Sequence, residues 1–391
     1  MIVGDASHDE LGSSLALSAD AKTLVTGAPH SNMNMGYVKV YRTDDDGWNP
    51  MQLGQTIYGE AVDDYFGDSV DISQDGRTIA IRAPGVYELS DQSGYVRVYY
   101  LESDSLSSSW KQVGQDITGE AVGDSFGESI LLSEDGTILA IGAWTNDGNG
   151  VDSGHVRVYQ LKDSGTNWEQ LGQDINGDAS DDGSGHSVSL SADGKTVAIG
   201  QLDNSENSDW SGHVRVYQIN SEGSSWEQLG QNIAGVEPYD SFGESVTLSP
   251  DGKVLAVGAP SLYIRYVRVY YLETNDIGSS WKQIGQDIIG EEPDEGFGIS
   301  VSMSEDGETL AIGAQSNDGN GANLGRVTVY RWDDSSTSWT QLGEDIHGDA
   351  AFDVLGWKVS LSADSRTLAI GSKYTDENGS DSGSVKVFSI T

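Results

Sequence analysis

An acidic side chain stands three residues before a recurring glycine at Asp9, Asp64, Asp124, Asp182, Asp240, Glu295 and Asp353. Seven carboxylates gathered on one face would focus negative potential and hold a cation or a ligand's cationic group. The same residue type also caps turns, because Asp oxygens accept nearby backbone N–H groups. Repetition in every copy favours that structural use. A second group comprises Asn146, Asp147 and Asn149, with the near-copy Asn317, Asp318 and Asn320 and a related stretch at Asp376. Asx oxygens on glycine-rich turns can hold calcium weakly, and they equally make solvated turns. Trp144 and Trp210 fall outside the positions where Trp recurs. Each offers a broad apolar face and an N–H to a sugar or a protein, or else packs under its own loop. Catalytic motifs are missing. The six His include His155 and His213 at one shared repeat position, and no nucleophile elbow, phosphate loop or His-rich metal spacing occurs.

The elements that carry these residues are written seven times. Gly4, Gly59, Gly119, Gly177, Gly235, Gly290 and Gly348 open copies 55 to 60 residues apart. The copies run 4–58, 59–118, 119–176, 177–234, 235–289, 290–347 and 348–391. Repetition at a fixed period decides the architecture, since each unit buries its faces only against its neighbours. Each copy holds four strand-like runs. The first alternates with period two, as in Gly67 to Ser73, and ends in a Ser-x-Asp-Gly turn such as Ser191 to Gly194. The second reads Thr-Leu-Ala-Ile-Gly, with a middle Ala in six of the seven copies. The third is Val-x-Val-aromatic, ending at Tyr41, Tyr99, Tyr159, Tyr217, Tyr270, Tyr330 or Phe388. The fourth is headed by Trp48, Trp110, Trp168, Trp226, Trp281 or Trp339 in a Trp-x-Gln-x-Gly-x-x-Ile pattern. Four antiparallel strands in each of seven units predict an all-β, seven-bladed β-propeller forming one domain over 1–391. Blade seven stops after its third strand. Ile2-Val3-Gly4 aligns with Ile117-Thr118-Gly119, a weak three-residue candidate for the missing strand, so blade seven is either incomplete or closed by the N-terminus. If incomplete, the blade is one strand short, or the chain is a segment of a longer one.

Composition bounds the function. There are 62 Asp and Glu against 21 Lys and Arg, a net charge of −41. That balance repels phosphate and argues against nucleic acid and against anionic membrane surfaces. It favours solubility and the attraction of cations. No Cys is present, so neither disulfides nor thiolate metal sites contribute. No apolar run reaches membrane-spanning length, and Met1 to Gly4 lacks the features of a signal peptide, so any secretion signal lies outside this chain. Lys39, Arg97, Arg157, Arg215, Arg268 and Lys386 occupy the middle of Val-x-Val. They are expected to pair with acids or to cover the strand-four Trp.

Phe66-Gly67, Phe126-Gly127, Phe242-Gly243 and Phe297-Gly298 precede first strands, while Gly27-Ala28-Pro29 and Gly258-Ala259-Pro260 end second strands. Taken in phase across the whole chain, these strings resemble FG-GAP repeats, the units of the integrin α-subunit propeller and of related microbial surface proteins. The resemblance implies a seven-bladed propeller used outside the cell for adhesion or ligand binding. Integrin-like blades often carry calcium in an Asp-x-Asp-x-Asp-Gly turn. Here that turn is only Ser-x-Asp-Gly, so calcium is not carried over to it. The resulting expectation is a non-enzymatic, extracellular or cell-surface binding module, monomeric or part of a longer chain. It presents an acidic loop face to a protein or glycan, with calcium as its only candidate cofactor. The alternatives are a polysaccharide hydrolase or lyase with an acidic axial pocket, and a structural spacer without a ligand.

Overall fold

A computed structural model describes the chain apart from residues 45–46, 86–92, 104, 163–164, 205–209, 262–263, 277, 292–294, 317–322 and 391. Seven antiparallel sheets form a propeller. In the third blade, Ile130–Leu132, Ile138–Ala143, His155–Leu161 and Trp168–Gln170 pair in chain order. The innermost strands touch their neighbours around the axis, and that of blade seven (Leu355–Leu361) touches that of blade one (Ser14–Leu17). Among the described residues no helix is long and apolar enough to cross a membrane.

The second strand explains why its sequence alternates large and small residues. All six residues of Ile138–Ala143 are buried. Leu139, Ile141 and Ala143 face blade two, packing with Val96, Val98 and Phe126. Ile138 and Ala140 face blade four, packing with Val188 and Val197. Each seam between blades holds one such cluster, so the hydrophobic core is a ring of seven inter-blade layers. No blade buries its faces alone, which makes closure of the ring a condition of stability.

The fourth strand is less simple than its motif. It breaks into a Trp-led piece, Trp168–Gln170, and a two-residue piece, Ile175–Asn176, that pairs back onto the third strand. Gly172 lies between them at φ 74°, and a Cβ there would meet Trp226 of the next blade at 2.7 Å. Trp226 in turn donates its indole N–H to Leu171 O at 2.8 Å, latching blade four to blade three. Ile2–Val3 fills the two-residue place in blade seven, with Ile2 opposite Val385 and Val3 opposite Ser384. The N-terminus therefore closes the ring.

The Ser-x-Asp-Gly turns commit their carboxylates internally. Asp75 Oδ1 accepts the hydroxyl of Ser73 at 2.7 Å and the backbone N–H of Arg77 at 3.0 Å, and the other six blades repeat the serine bond. The Val-x-Val cations pair with acids as expected: Arg97 holds Asp116 with two bonds at 2.8 and 2.7 Å, and Arg215 holds Asp178. The rings they cover differ from the expectation. Arg97 and Arg268 lie over Tyr95 and Tyr266, which open the same third strand, at 4.5 and 4.3 Å from the ring centroids. The tyrosine is two residues away on the same face of the strand, a position the outer Trp does not share.

Candidate active site

The seven acids that precede the glycines lie inside their own turns. Asp240 is fully buried, and its Oδ2 accepts the backbone N–H groups of Val236 and Glu237, both at 3.0 Å, and the hydroxyl of Tyr266 at 2.8 Å. Asp9 and Asp64 repeat this arrangement with Tyr37 and Tyr95. Asp124 and Asp182 use Asn146 and Asn204 in the tyrosine's place. Asp353 accepts from the N–H groups of Asp349 and Ala350. Blade six exchanges both partners: Glu295 pairs with Arg326 at 2.8 Å, where other blades have Tyr, His or Ser.

The Asx loops are similarly self-contained. Asn146 Oδ1 accepts the N–H of Gly148, Asp147 Oδ1 that of Asp152, and Asp376 Oδ1 that of Asp381, while Asn149 donates to Gly177 O. Among the described residues no three His, Cys, Asp or Glu side chains converge as a metal site would require. Asn317, Asp318 and Asn320 lie outside the described residues. Trp210 is exposed beside Tyr239, their ring centroids 6.3 Å apart. Trp144 is half-buried and stands edge-on to His186, 5.6 Å between centroids.

That contact leads to a cluster the repeat does not predict. In blades four, six and seven the start of the first strand is a bulge, with its register shifted between Ser184 and Ser187, Phe297 and Ser300, and Leu355 and Lys358. Bulges re-aim side chains and are common beside active sites. The residue after the glycine stands at this point in every blade: Ser13, Asp68, Glu128, His186, Glu244, Ile299 and Trp357. The innermost strands enclose an axial cavity of about 530 Å³, and Glu128, His186, Glu244, Ile299 and Trp357 line it. The mouth therefore has two arcs. Blades two to five present Asp68, Glu128, His186 and Glu244, all ionisable, and blades six, seven and one present Ile299, Trp357 and Ser13.

Arg82 binds the first arc together. It occupies the second-strand position held by glycine in the other six blades. At those positions the backbones of adjacent blades nearly touch; a Cβ on Gly142 would lie 2.0 Å from Gly185 O. The Arg82 side chain instead runs over Gly127, whose φ of 83° and missing Cβ leave the path open. Its side chain is 2% exposed, and Nη1 reaches Asp68 Oδ2 at 2.6 Å and Glu128 Oε2 at 2.9 Å, while Nε donates to Phe126 O. On the far side of Glu128, His186 Nε2 lies 3.3 Å from Glu244 Oε1.

The surroundings drive the two carboxyls apart. Burial raises Asp68, and Arg82 does not offset it because Glu128 adds a second negative charge. Burial would also raise Glu128, but Arg82 and His186 outweigh it and hold Glu128 below its usual range. Burial opposes the charged form of His186, yet its bond to Glu244 and the nearby carboxylates carry it above its ordinary value. Two carboxyls whose proton affinities are shifted in opposite directions, beside a His whose charged form is favoured, make an acid–base arrangement. Deeper in the channel, burial pushes Asp71 up to about 7, although the Leu132 N–H donates to its Oδ2 at 2.6 Å.

Sequence reasoning passed over these residues because it followed what the copies share. The signal was present as Arg82 in a glycine column and as the one position after Phe-Gly that changes charge from copy to copy.

The FG-GAP repeat family matches residues 347–388. No curated protein sequence matches. Several solved structures share the fold. A provisionally named 6-phosphogluconolactonase from Bacteroides uniformis is 16% identical over 86% of each chain, with a TM-score of 0.58. A periplasmic gluconolactonase from Pseudomonas aeruginosa is 17% identical over 97% of this chain and 89% of its own, with a TM-score of 0.57. Sqt1 from Saccharomyces cerevisiae is 15% identical over 95% and 84%, with a TM-score of 0.53. The expectation of a non-enzymatic chain is corrected by these findings. It rested on the lack of a polar cluster that breaks the sevenfold repeat. Asp68, Arg82, Glu128, His186 and Glu244 form such a cluster, on a fold shared with two structures named as lactonases.

Proposed function

We propose that this FG-GAP-repeat propeller is a hydrolase whose active site is the axial mouth and whose substrate derives from a carbohydrate. The supporting observation is a single guanidinium nitrogen held between the Asp68 and Glu128 carboxyls, beside which burial favours the proton on Asp68 while Arg82 and His186 disfavour it on Glu128. In the reaction, Glu128 takes a proton from water as the water oxygen bonds to an ester or lactone carbonyl carbon. Collapse of the tetrahedral centre breaks the bond to the alcohol oxygen, and Asp68 protonates that oxygen as it leaves. Solvent returns the proton from Glu128 to Asp68. Arg82 fixes the spacing of the two groups, and His186 with Glu244 keeps Glu128 ionised. The cavity volume of about 530 Å³ suits a ligand of sugar size. The lactonase names of two similar structures favour a lactone or ester over other bonds. Work outside the cytoplasm accords with the acidic, Cys-free composition and with the periplasmic neighbour.

The test is turnover of an aldonolactone panel and an aryl-glycoside panel by the full chain, with the Asp68→Asn variant beside it. Hydrolysis above the spontaneous rate that falls at least tenfold in the variant is expected. Wild-type and variant rates equal to buffer, together with retention of the chain on a glycan array, would return the molecule to a binding module.

A further inference from the structure

The chain carries 41 more negative than positive charges, so nearly any lysine has a carboxylate available. Lys358 and Lys373 of blade seven are exceptions at a place where that matters. Lys358 stands on the innermost strand where the other six blades have Ser14, Ser69, Ser129, Ser187, Ser245 and Ser300. Those serines are structural: Ser187, for example, donates to Gly243 O of the next blade at 2.6 Å. Lys358 makes no such bond, lines the axial cavity, and has no carboxylate within ion-pair distance among the described residues. Lys373 follows the second strand of the same blade. Its ammonium stands 3.2 Å from the ring centroid of Trp357 and 4.8 Å from that of Tyr374, again without an ion pair. Trp357 lines the cavity beside Lys358.

The nearest acids are already engaged. Glu10 lies 3.6 Å from His30, and Asp68 is held by Arg82. Burial disfavours the ammonium of Lys373; the charges of Glu10 and Asp68 favour it without offsetting burial, and the nearby charge of Lys358 opposes it. Like charges whose nearest carboxylates are engaged elsewhere have an unfavourable energy that a bound anion lowers. They also occupy the arc opposite the acid–base arc, as a handle for a substrate held across the mouth would.

We propose that the axial mouth binds its substrate through an ionised substituent, a carboxylate or a phosphate, that reaches Lys358 and Lys373 at the edge of Trp357. This rests on the reading of the mouth as a substrate site and adds the charge class of the substrate. In an otherwise acidic protein it selects an anionic sugar derivative over its neutral parent. The general field opposes such a ligand, so the preference must come from these two residues.

The experiment measures binding rather than turnover, so its outcome is separate from that of the hydrolase reading. The full chain is titrated calorimetrically with glucuronate, glucose 6-phosphate and glucose at low ionic strength. At least one anionic sugar is expected to bind at least tenfold more tightly than glucose. That advantage is expected to vanish in Lys358→Ser, which restores the residue of the other blades, and in Lys373→Gln. It is expected to persist in Lys282→Gln on an outer strand. Which anion binds better separates a carboxylate handle from a phosphate one. Equal affinity for glucose and both anions, or an anion preference unchanged in both lysine variants, overturns the proposal. Anion binding without hydrolysis of any panel member would leave this site standing and remove the hydrolase.

Discussion

Two rings of side chains lie four residues apart in every blade, and they behave in opposite ways. The outer ring, Asp64 and its counterparts, is acidic and buried in all seven copies; six of them accept hydrogen bonds from their own turns and Glu295 pairs with Arg326. The inner ring, Asp68 and its counterparts, holds seven residues of six types and surrounds the channel mouth. A repeat protein must satisfy the same backbone groups in every unit, so the residue that satisfies them recurs. A site that handles one substrate has no use for sevenfold symmetry. In this molecule, what is shared maintains the scaffold, and what departs from the repeat forms the proposed site.

The comparison is most sharply tested by Glu128→Gln. Its oxygen still accepts from Arg82, so the fold should hold, but the base is gone. A loss of about 10²–10⁴ in kcat is expected, as for removal of a general base, with a thermal midpoint close to wild type. A variant that melts far below wild type would place Glu128 with the scaffold ring instead.

Asp240→Ala inverts that pattern. It removes three hydrogen bonds to a buried carboxylate and leaves the Val236 and Glu237 N–H groups and the Tyr266 hydroxyl without their acceptor. A destabilisation of about 3 kcal/mol is expected in urea unfolding, with kcat of the folded fraction unchanged. Loss of activity at full stability would move the outer ring into the site.

The fold is legible because the same physical requirement is written seven times. The Asp-Gly turns, the Leu-Ala-Ile alternation and the Ile2-Val3 closure each follow from burial at a blade seam. The break in the fourth strand is harder to read, since it depends on Trp226 of the next blade filling the space over Gly172. The mouth is harder still. Asp68 and Glu128 become a pair only because Arg82 crosses from the second strand over Gly127, a contact between residues that no periodicity links. Aligning the copies for agreement finds Asp64; finding Asp68 requires asking where they disagree.

Asp71, three residues down the channel from Asp68, sharpens the contrast by titration. Its folded value of about 7 lies above the ordinary 3.8, so the folded state favours the proton. Stability from that proton is fully present below about 4 and is lost as pH rises through 7. Asp71→Asn keeps an acceptor for the Leu132 N–H without the charge. At pH 8 it should be more stable than wild type by about 1–2 kcal/mol, discounted because channel water reaches the group. At pH 4 the two should coincide. A gap that does not change between pH 4 and pH 8 would mean that Asp71 is not titrating there.

Calcium should have the smallest effect. A weak site with Kd near 1 mM would add about 1.4 kcal/mol at 10 mM calcium. The oxygens that could form it, on Asn146, Asp147 and Asp376, already accept N–H groups from Gly148, Asp152 and Asp381. A cation would have to displace those bonds, and the net gain is then expected to fall below what melting curves resolve. Thermal unfolding in 10 mM calcium and in 10 mM magnesium at matched ionic strength should therefore superimpose. A calcium-specific rise would show that the loops are ligands rather than closed turns, and that part of the shared scaffold has a binding role after all.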